Sequence, residues 1–263
     1  MSRASLRVLG ARELISADVN IVNNTVTIGE GVVHANELPL DIPVTGMVIG
    51  TLLNYKGALE KLGDTVQAKP YCSPPTAPVL YLKPANTFNR YGSTIPMPVG
   101  VSKLEVGAAL GLVIGKQAIA VDEEHALNYV AGYTIVNDVS VPHVSLFRPA
   151  VQHRARDGFC PIGPWVIDHQ EVPDPDNLVI RVFINDVLRQ ENTTSNLIRP
   201  IRRLLADVTE FMTLRPGDVL LVGVPEAAPL AEVGDHIRID IAGIGSLENR
   251  IVDEQQFNSW GTT

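Results

Sequence analysis

Short alternating or wholly apolar runs, punctuated by Gly, Pro, Asn and Asp, recur along almost the whole of this 263-residue chain. The first 45 residues read as short strands. Within them, Ile21-Val22-Asn23-Asn24-Thr25-Val26 places an Asn-Asn pair between β-branched residues and predicts a hairpin. Strand-like runs follow at 47–53 and 79–82, separated by a loop over 69–78 that carries Pro70, Pro74, Pro75 and Pro78. The stretch 84–100 is rich in turn formers, and Pro96 and Pro98 forbid a central strand there. The longest strand-like stretch is 104–116, where Gly107-Ala108-Ala109 predicts close approach by another backbone or a ligand. Asp122 can cap a short helix over 122–129, and 133–137 is apolar enough to be buried. A second hairpin is expected over 177–190, turning at Asn185-Asp186. Ile201, Leu204, Leu205, Val208, Phe211 and Met212 fall at helical spacing and predict one regular helix over 196–212, with Pro200 near its first turn. Pro216-Gly217-Asp218 ends it, and closing strands follow at 219–222 and 236–242.

Many strands with few helices predict a mixed β (α+β) fold. The organisation expected is a small N-terminal β segment, 1–45, ahead of a larger catalytic-type domain, 46–263. Apolar residues make up 45% and charged residues 19% of the chain, enough for a sizeable core. The net charge of −8 argues against a nucleic-acid partner, which needs a basic face. Cys72 and Cys160 are too few for a disulfide scaffold or a four-cysteine zinc site and read as reduced thiols. Neither a leader sequence nor a membrane-spanning run is evident, so a soluble cytoplasmic protein is expected. His34, His125, His169 and His236 form no ligand-spaced pair, and Gly243-Ile244-Gly245 lacks the third glycine of a dinucleotide loop.

Several ordered stretches together carry a family resemblance. They are Lys83-Pro84, Gly115-Lys116, Tyr129-Val130-Ala131-Gly132-Tyr133-Thr134 leading to Asn137-Asp138, Arg156-Asp157-Gly158-Phe159-Cys160-Pro161-Ile162-Gly163-Pro164-Trp165, Leu214-Arg215-Pro216-Gly217-Asp218 and Gly243-Ile244-Gly245. In this order and spacing the chain resembles the fumarylacetoacetate hydrolase superfamily over about 46–252. Phe147-Arg148-Pro149-Ala150 and Asn137-Asp138-Val139-Ser140-Val141-Pro142 are similar to one branch, the N-terminal half of the bifunctional decarboxylase/isomerases of homoprotocatechuate (4-hydroxyphenylacetate) degradation. The resemblance implies the family's β-roll fold, a homodimer or a hetero-assembly with a paralogous subunit, and an anionic keto-enol substrate. It also implies a divalent cation, Mg²⁺ or Mn²⁺, held by a Glu-x-Glu pair and an aspartate.

On this sequence the aspartate matches Asp138, while Gly107 and Ala109 stand at the Glu-x-Glu positions. Glu105 is a second candidate ligand, on the same face if the strand is regular but about 7 Å further along. The family's histidine position falls on Ala58, so Glu60 and Tyr55 become the local replacements. Lys83 and Arg156 are the candidates for gripping a carboxylate or enol oxygen, and His153, Arg154 and Arg148 complete a basic cluster that could land a di- or tricarboxylate. The substrate-contacting turn reads Val222-Gly223-Val224-Pro225, so backbone N–H groups at Gly223 and Val224 would serve an oxyanion beside an apolar wall.

Decarboxylating or isomerising a 2-keto or 2-hydroxydienoic acid passes through a dienolate, which calls for charge stabilisation and a proton carrier. Three readings follow. One is a decarboxylase/isomerase of a hydroxymuconate-type acid, acting on 5-oxopent-3-ene-1,2,5-tricarboxylate and 2-hydroxyhepta-2,4-diene-1,7-dioate in aromatic catabolism. Another is a non-catalytic subunit supporting a metal-competent paralogue. The third is a family member redirected to another small keto acid.

Overall fold

The computed structural model describes residues 1–69, 72–143 and 150–258. The chain opens with a meander of β1 (Ser2–Val8), β2 (Ile15–Asn20), β3 (Thr25–Ile28) and β4 (Gly31–His34), then β5 (Leu40–Asp41). The Asn-Asn turn forms as expected, with Asn24 at φ 53° ahead of β3. Next come β6 (Val48–Leu52), the short helix α1 (Lys56–Glu60), β7 (Val79–Lys83), β8 (Phe88–Arg90) and β9 (Thr94–Met97). The middle of the chain supplies β10 (Leu104–Glu105), β11 (Ala108–Ile114), β12 (Val130–Asn137), the single turn α2 (Val151–Arg154) and β13 (Cys160–Asp168). The last third holds β14 (Val179–Ile184), β15 (Val187–Thr193), α3 (Ile201–Thr209), β16 (Val219–Leu221), β17 (Leu230–Ala231), β18 (His236–Ile241), β19 (Gly245–Asp253) and α4 (Glu254–Asn258).

The strands build two main sheets. The larger runs β4-β3-β2-β1-β13-β12-β11-β16-β6-β7, with β5 paired to β1 and β8 to β13. The smaller runs β15-β14-β18-β19-β9, and β10 forms a separate pair with β17. Period-two alternation sets the packing: β18 buries Ile237, Ile239 and Ile241 on one face while His236, Arg238 and Asp240 stay wetter. The main core lies between the two sheets and takes in Leu110, Leu112, Ile135, Trp165, Ile239 and the stripe Ile201, Leu204, Leu205 and Val208 of α3. Trp165 anchors it, donating from Nε1 to the Ile244 carbonyl at 2.8 Å. Gly245 lies against the Trp165 indole, so the Gly-Ile-Gly turn serves ring packing. A second apolar cluster, with Val48, Ala109, Val136, Ile162 and Leu221, covers the opposite face of the large sheet.

The N-terminal β segment joins the rest of the fold: β1 pairs with β13 and extends the large sheet. Three expectations change. The strand expected over 104–116 breaks at 106–107, because Gly107 N–H turns to the Asn137 side chain (3.1 Å) and Glu105 pairs with Ser140 instead. Asp122 caps as expected, accepting from His125 N at 2.9 Å, yet only one 3₁₀ turn, Ala126–Tyr129, follows. The long helix is confined to α3, with Pro200 at its N-cap. Asn185 and Asp186 turn the second hairpin with φ of 51° and 61°. Pro96 lies in β9, an edge strand, consistent with its missing N–H.

Candidate active site

Strand β7 alternates, so Tyr81 and Lys83 leave one face of the large sheet together. Opposite them, β12 ends at Asn137 and delivers Asp138 to the same place. The Asp138 backbone is pinned there by its N–H to the Gly107 carbonyl at 2.8 Å. Lys83 Nζ lies 2.9 Å from Asp138 Oδ1, with both side chains at 0% exposure. It also donates to the carbonyls of Val139 (3.3 Å) and Arg154 (2.9 Å), so the buried ammonium has two hydrogen-bond acceptors beside its ion-pair partner. Arg154 Nη1 reaches Asp138 Oδ2 at 2.8 Å and remains 18% exposed. Its guanidinium stacks over the Tyr81 ring at 5.0 Å, and the Tyr81 hydroxyl donates to Asp138 Oδ2.

The electrostatics follow from this array. Burial opposes ionisation of Asp138, but the charges of Lys83 and Arg154 and the bond from Tyr81 outweigh it and hold the carboxyl below its ordinary range. Tyr81 is pushed well above its usual value, chiefly by burial and then by the Asp138 charge, so it stays a neutral donor. Burial lifts the neighbouring Cys160 thiol to about 12, which removes it as a nucleophile.

The other sequence candidates are dispersed. Arg156 turns back to donate to the Gln152 carbonyl at 2.9 Å, and it is Arg154, two residues earlier, that reaches Asp138. Arg148 lies outside the described residues. Glu60 is exposed at the end of α1. Glu105 accepts from Ser140 Oγ at 2.8 Å. Tyr55 is fully buried in the inter-sheet core, its ring beside Gly223, whose φ is +122°. The expected apolar wall divides, for Val222 belongs to the inter-sheet core and Val224 packs against the opposite cluster. Arg154 was expected only as a member of the basic cluster, and Tyr81 was not foreseen; the period-two spacing from Lys83 could have found Tyr81.

A divalent cation does not fit these residues. Asp138 is committed to two cationic side chains and a phenol, and Gly107 and Ala109 bring no donor. A Cβ at Gly107 would lie 2.3 Å from the Asp138 carbonyl oxygen, so the space is filled by backbone. Among the described residues no group of three His, Cys, Asp or Glu side chains could hold a metal. Asp138 and Glu105 are therefore members of an ion array and a serine bond.

Residues 47–252 match the fumarylacetoacetate (FAA) hydrolase C-terminal family. The chain belongs to that family. Among curated proteins, a 4-hydroxyphenylacetate degradation bifunctional isomerase/decarboxylase of Salmonella dublin is 35% identical over 259 residues, covering 98% of this chain and 58% of that protein. Its Escherichia coli namesake is 40% identical over 211 residues, or 80% of this chain and 48% of that protein. The chain thus spans about half the length of these relatives. A solved structure, the 5-carboxymethyl-2-hydroxymuconate delta-isomerase from Mycobacterium smegmatis, superposes with a TM-score of 0.75 at 26% identity, covering 96% of this chain and 100% of that one. These FAA hydrolase relatives share the mostly β architecture. Among the described residues no helix is long and apolar enough to cross a membrane.

Proposed function

We propose that this FAA hydrolase family member decarboxylates and isomerises small keto-enol di- or tricarboxylic acids. Its proposed substrates are 5-oxopent-3-ene-1,2,5-tricarboxylate and 2-hydroxyhepta-2,4-diene-1,7-dioate. The observation that carries the reading is the Lys83–Asp138–Arg154 array: one buried and one partly exposed cation face a single carboxylate and outnumber it. Arg154, the partly exposed member, meets the substrate carboxylate or the developing enolate oxygen. Asp138 holds its guanidinium, Lys83 holds its backbone carbonyl, and Tyr81 supports the guanidinium plane. Charge stabilisation that a divalent ion could give is supplied by fixed side-chain cations in a water-poor setting. The N–H groups of Gly223 and Val224 remain the proposed oxyanion donors, and Arg148 a further carboxylate contact.

The test is ultraviolet-monitored turnover of 2-hydroxyhepta-2,4-diene-1,7-dioate by the purified chain, with Mg²⁺ and with EDTA. Equal turnover in both, lost in Arg154→Ala, supports the reading. Turnover abolished by EDTA overturns it. A second reading, a supporting subunit paired with a metal-competent paralogue, draws on the 0% exposure of Lys83 and Asp138, which suits a structural array. Silence of the chain alone with activity restored by the paralogue selects that alternative.

A further inference from the structure

Isomerising a dienol needs a group that moves a proton, and the carboxylates at the array are already engaged. Asp138 is held by Lys83, Arg154 and Tyr81, and Glu105 by Ser140. Glu226 is placed differently. It follows the 223–225 turn, and its Oε1 accepts from Asn192 Nδ2 at 3.1 Å while its carbonyl accepts from Gln190 Nε2 at 2.7 Å. Its Oε2 is shut off from solvent and has no hydrogen-bond partner among the described residues. Among the described residues nine other buried side-chain polar atoms share that condition, and three of them belong to neighbouring segments: Thr51 Oγ1 on β6, the Tyr55 hydroxyl ahead of α1, and Gln190 Oε1 on β15.

Buried polar atoms are nearly always paired in folded proteins, so four unpaired ones in segments that touch one another mark a place built for a further partner. The contacts are specific. A Cβ at Gly57 would fall 2.4 Å from Glu226 Cδ, so the carboxyl lies directly against the α1 backbone. A Cβ at Gly223 would lie 3.3 Å from the Thr51 carbonyl oxygen and 3.5 Å from the Tyr55 ring, which ties the turn to both residues. Tyr55 is fully buried, and its phenol is held above its usual range by burial first and the Glu226 charge second. The same turn carries Val224 onto the cluster of Ala109 and Val136, on the face from which Asp138 projects.

We propose that Glu226, steadied by Asn192 and Gln190 and faced by Tyr55, is the acid–base residue of this site. The inference rests on the keto-enol reading above. Glu226 is half-buried, and the proposal requires a side-chain rotation toward the substrate that keeps its backbone bond to Gln190. Its carboxylate takes the enol proton from the C2 oxygen. The O–H electron pair becomes the C2=O π bond, the C2=C3 pair shifts to C3=C4, and the C4=C5 pair takes the proton back from Glu226 at C5. No electrons are gained or lost overall.

The experiment follows 2-hydroxyhepta-2,4-diene-1,7-dioate in D₂O by ultraviolet absorbance, with NMR of the C5 deuterium. The wild-type chain delivers deuterium to one face of C5. Glu226→Gln lowers kcat by about 100-fold or more, the span of a lost acid–base group, with KM held within about threefold. Its residual product carries deuterium on both faces, and Glu226→Asp recovers part of the rate and the facial selectivity. Wild-type rate and selectivity in a folded Glu226→Gln variant overturn the inference alone. Failure of the wild-type chain to turn over this substrate overturns the functional reading, and the inference with it.

Discussion

Replacing Asp138 with asparagine keeps the shape of the side chain and removes the one anion that both Lys83 and Arg154 face. The two cations do not fare alike. Arg154, 18% exposed, can swing toward water, whereas Lys83 has 0% exposure and would keep only the carbonyls of Val139 and Arg154. Removing one partner of a buried pair destabilises by about 3–5 kcal/mol, because a charge is left uncompensated in the interior. For a chain of this size each kcal/mol lowers Tm by roughly 2–4 °C, so a fall of about 10 °C is expected. Urea unfolding of Asp138→Asn, read as a change in midpoint at constant slope, measures it directly. A loss below about 1 kcal/mol, the value of an exposed pair, would refute the reasoning. The double variant Lys83→Met/Asp138→Leu provides the control. With both charges gone, much of the loss should return, since apolar replacement of a buried pair is often close to neutral.

Three further outcomes follow from the same geometry. Asp138 is held below its ordinary value of 3.8, so its contribution to stability is complete above about pH 4 and is lost as pH falls through the lowered value; acid unfolding of Asp138→Asn should lack that component. Gly107→Glu should not create a cation site: its Cβ meets the Asp138 carbonyl oxygen at 2.3 Å, so the variant should lose about 1–3 kcal/mol by overpacking and show no Mn²⁺ heat in calorimetry. Cys160, fully buried with a thiol pushed up to about 12, should resist iodoacetamide in the native protein, while exposed Cys72 is labelled; mass mapping of the two peptides decides it.

Local chemistry made much of the fold legible. Asn23-Asn24 and Asn185-Asp186 announced their turns because short polar side chains tolerate positive φ, and both positions adopt it. The apolar stripe of α3 and the edge position of Pro96 were equally readable from spacing and from the missing donor. The break between β10 and β11 was not, because it depends on the Asn137 side chain taking the Gly107 N–H across the sheet. That break also moved Glu105 off the expected face and onto Ser140. Choosing among Arg148, Arg154 and Arg156 was beyond sequence spacing. The single turn of α2 aims Arg154 at Asp138, while Arg156 satisfies the Gln152 carbonyl of the preceding turn. Lys83 was readable as a strand-end lysine, but its burial depended on carbonyls from distant segments. Glu226 left no motif at all; its place shows only through Gly57 and the unpaired atoms around it.

Isothermal calorimetry of a stable 2-oxo dicarboxylate, 2-oxoheptanedioate, titrated into EDTA-treated protein tests the central claim most directly. The account predicts binding without metal that weakens by about 1.5–3 kcal/mol in Arg154→Ala, the worth of a charged hydrogen bond, and is unchanged in Arg156→Ala. Binding that appears only after Mg²⁺ or Mn²⁺ is restored, or that ignores Arg154→Ala, contradicts it.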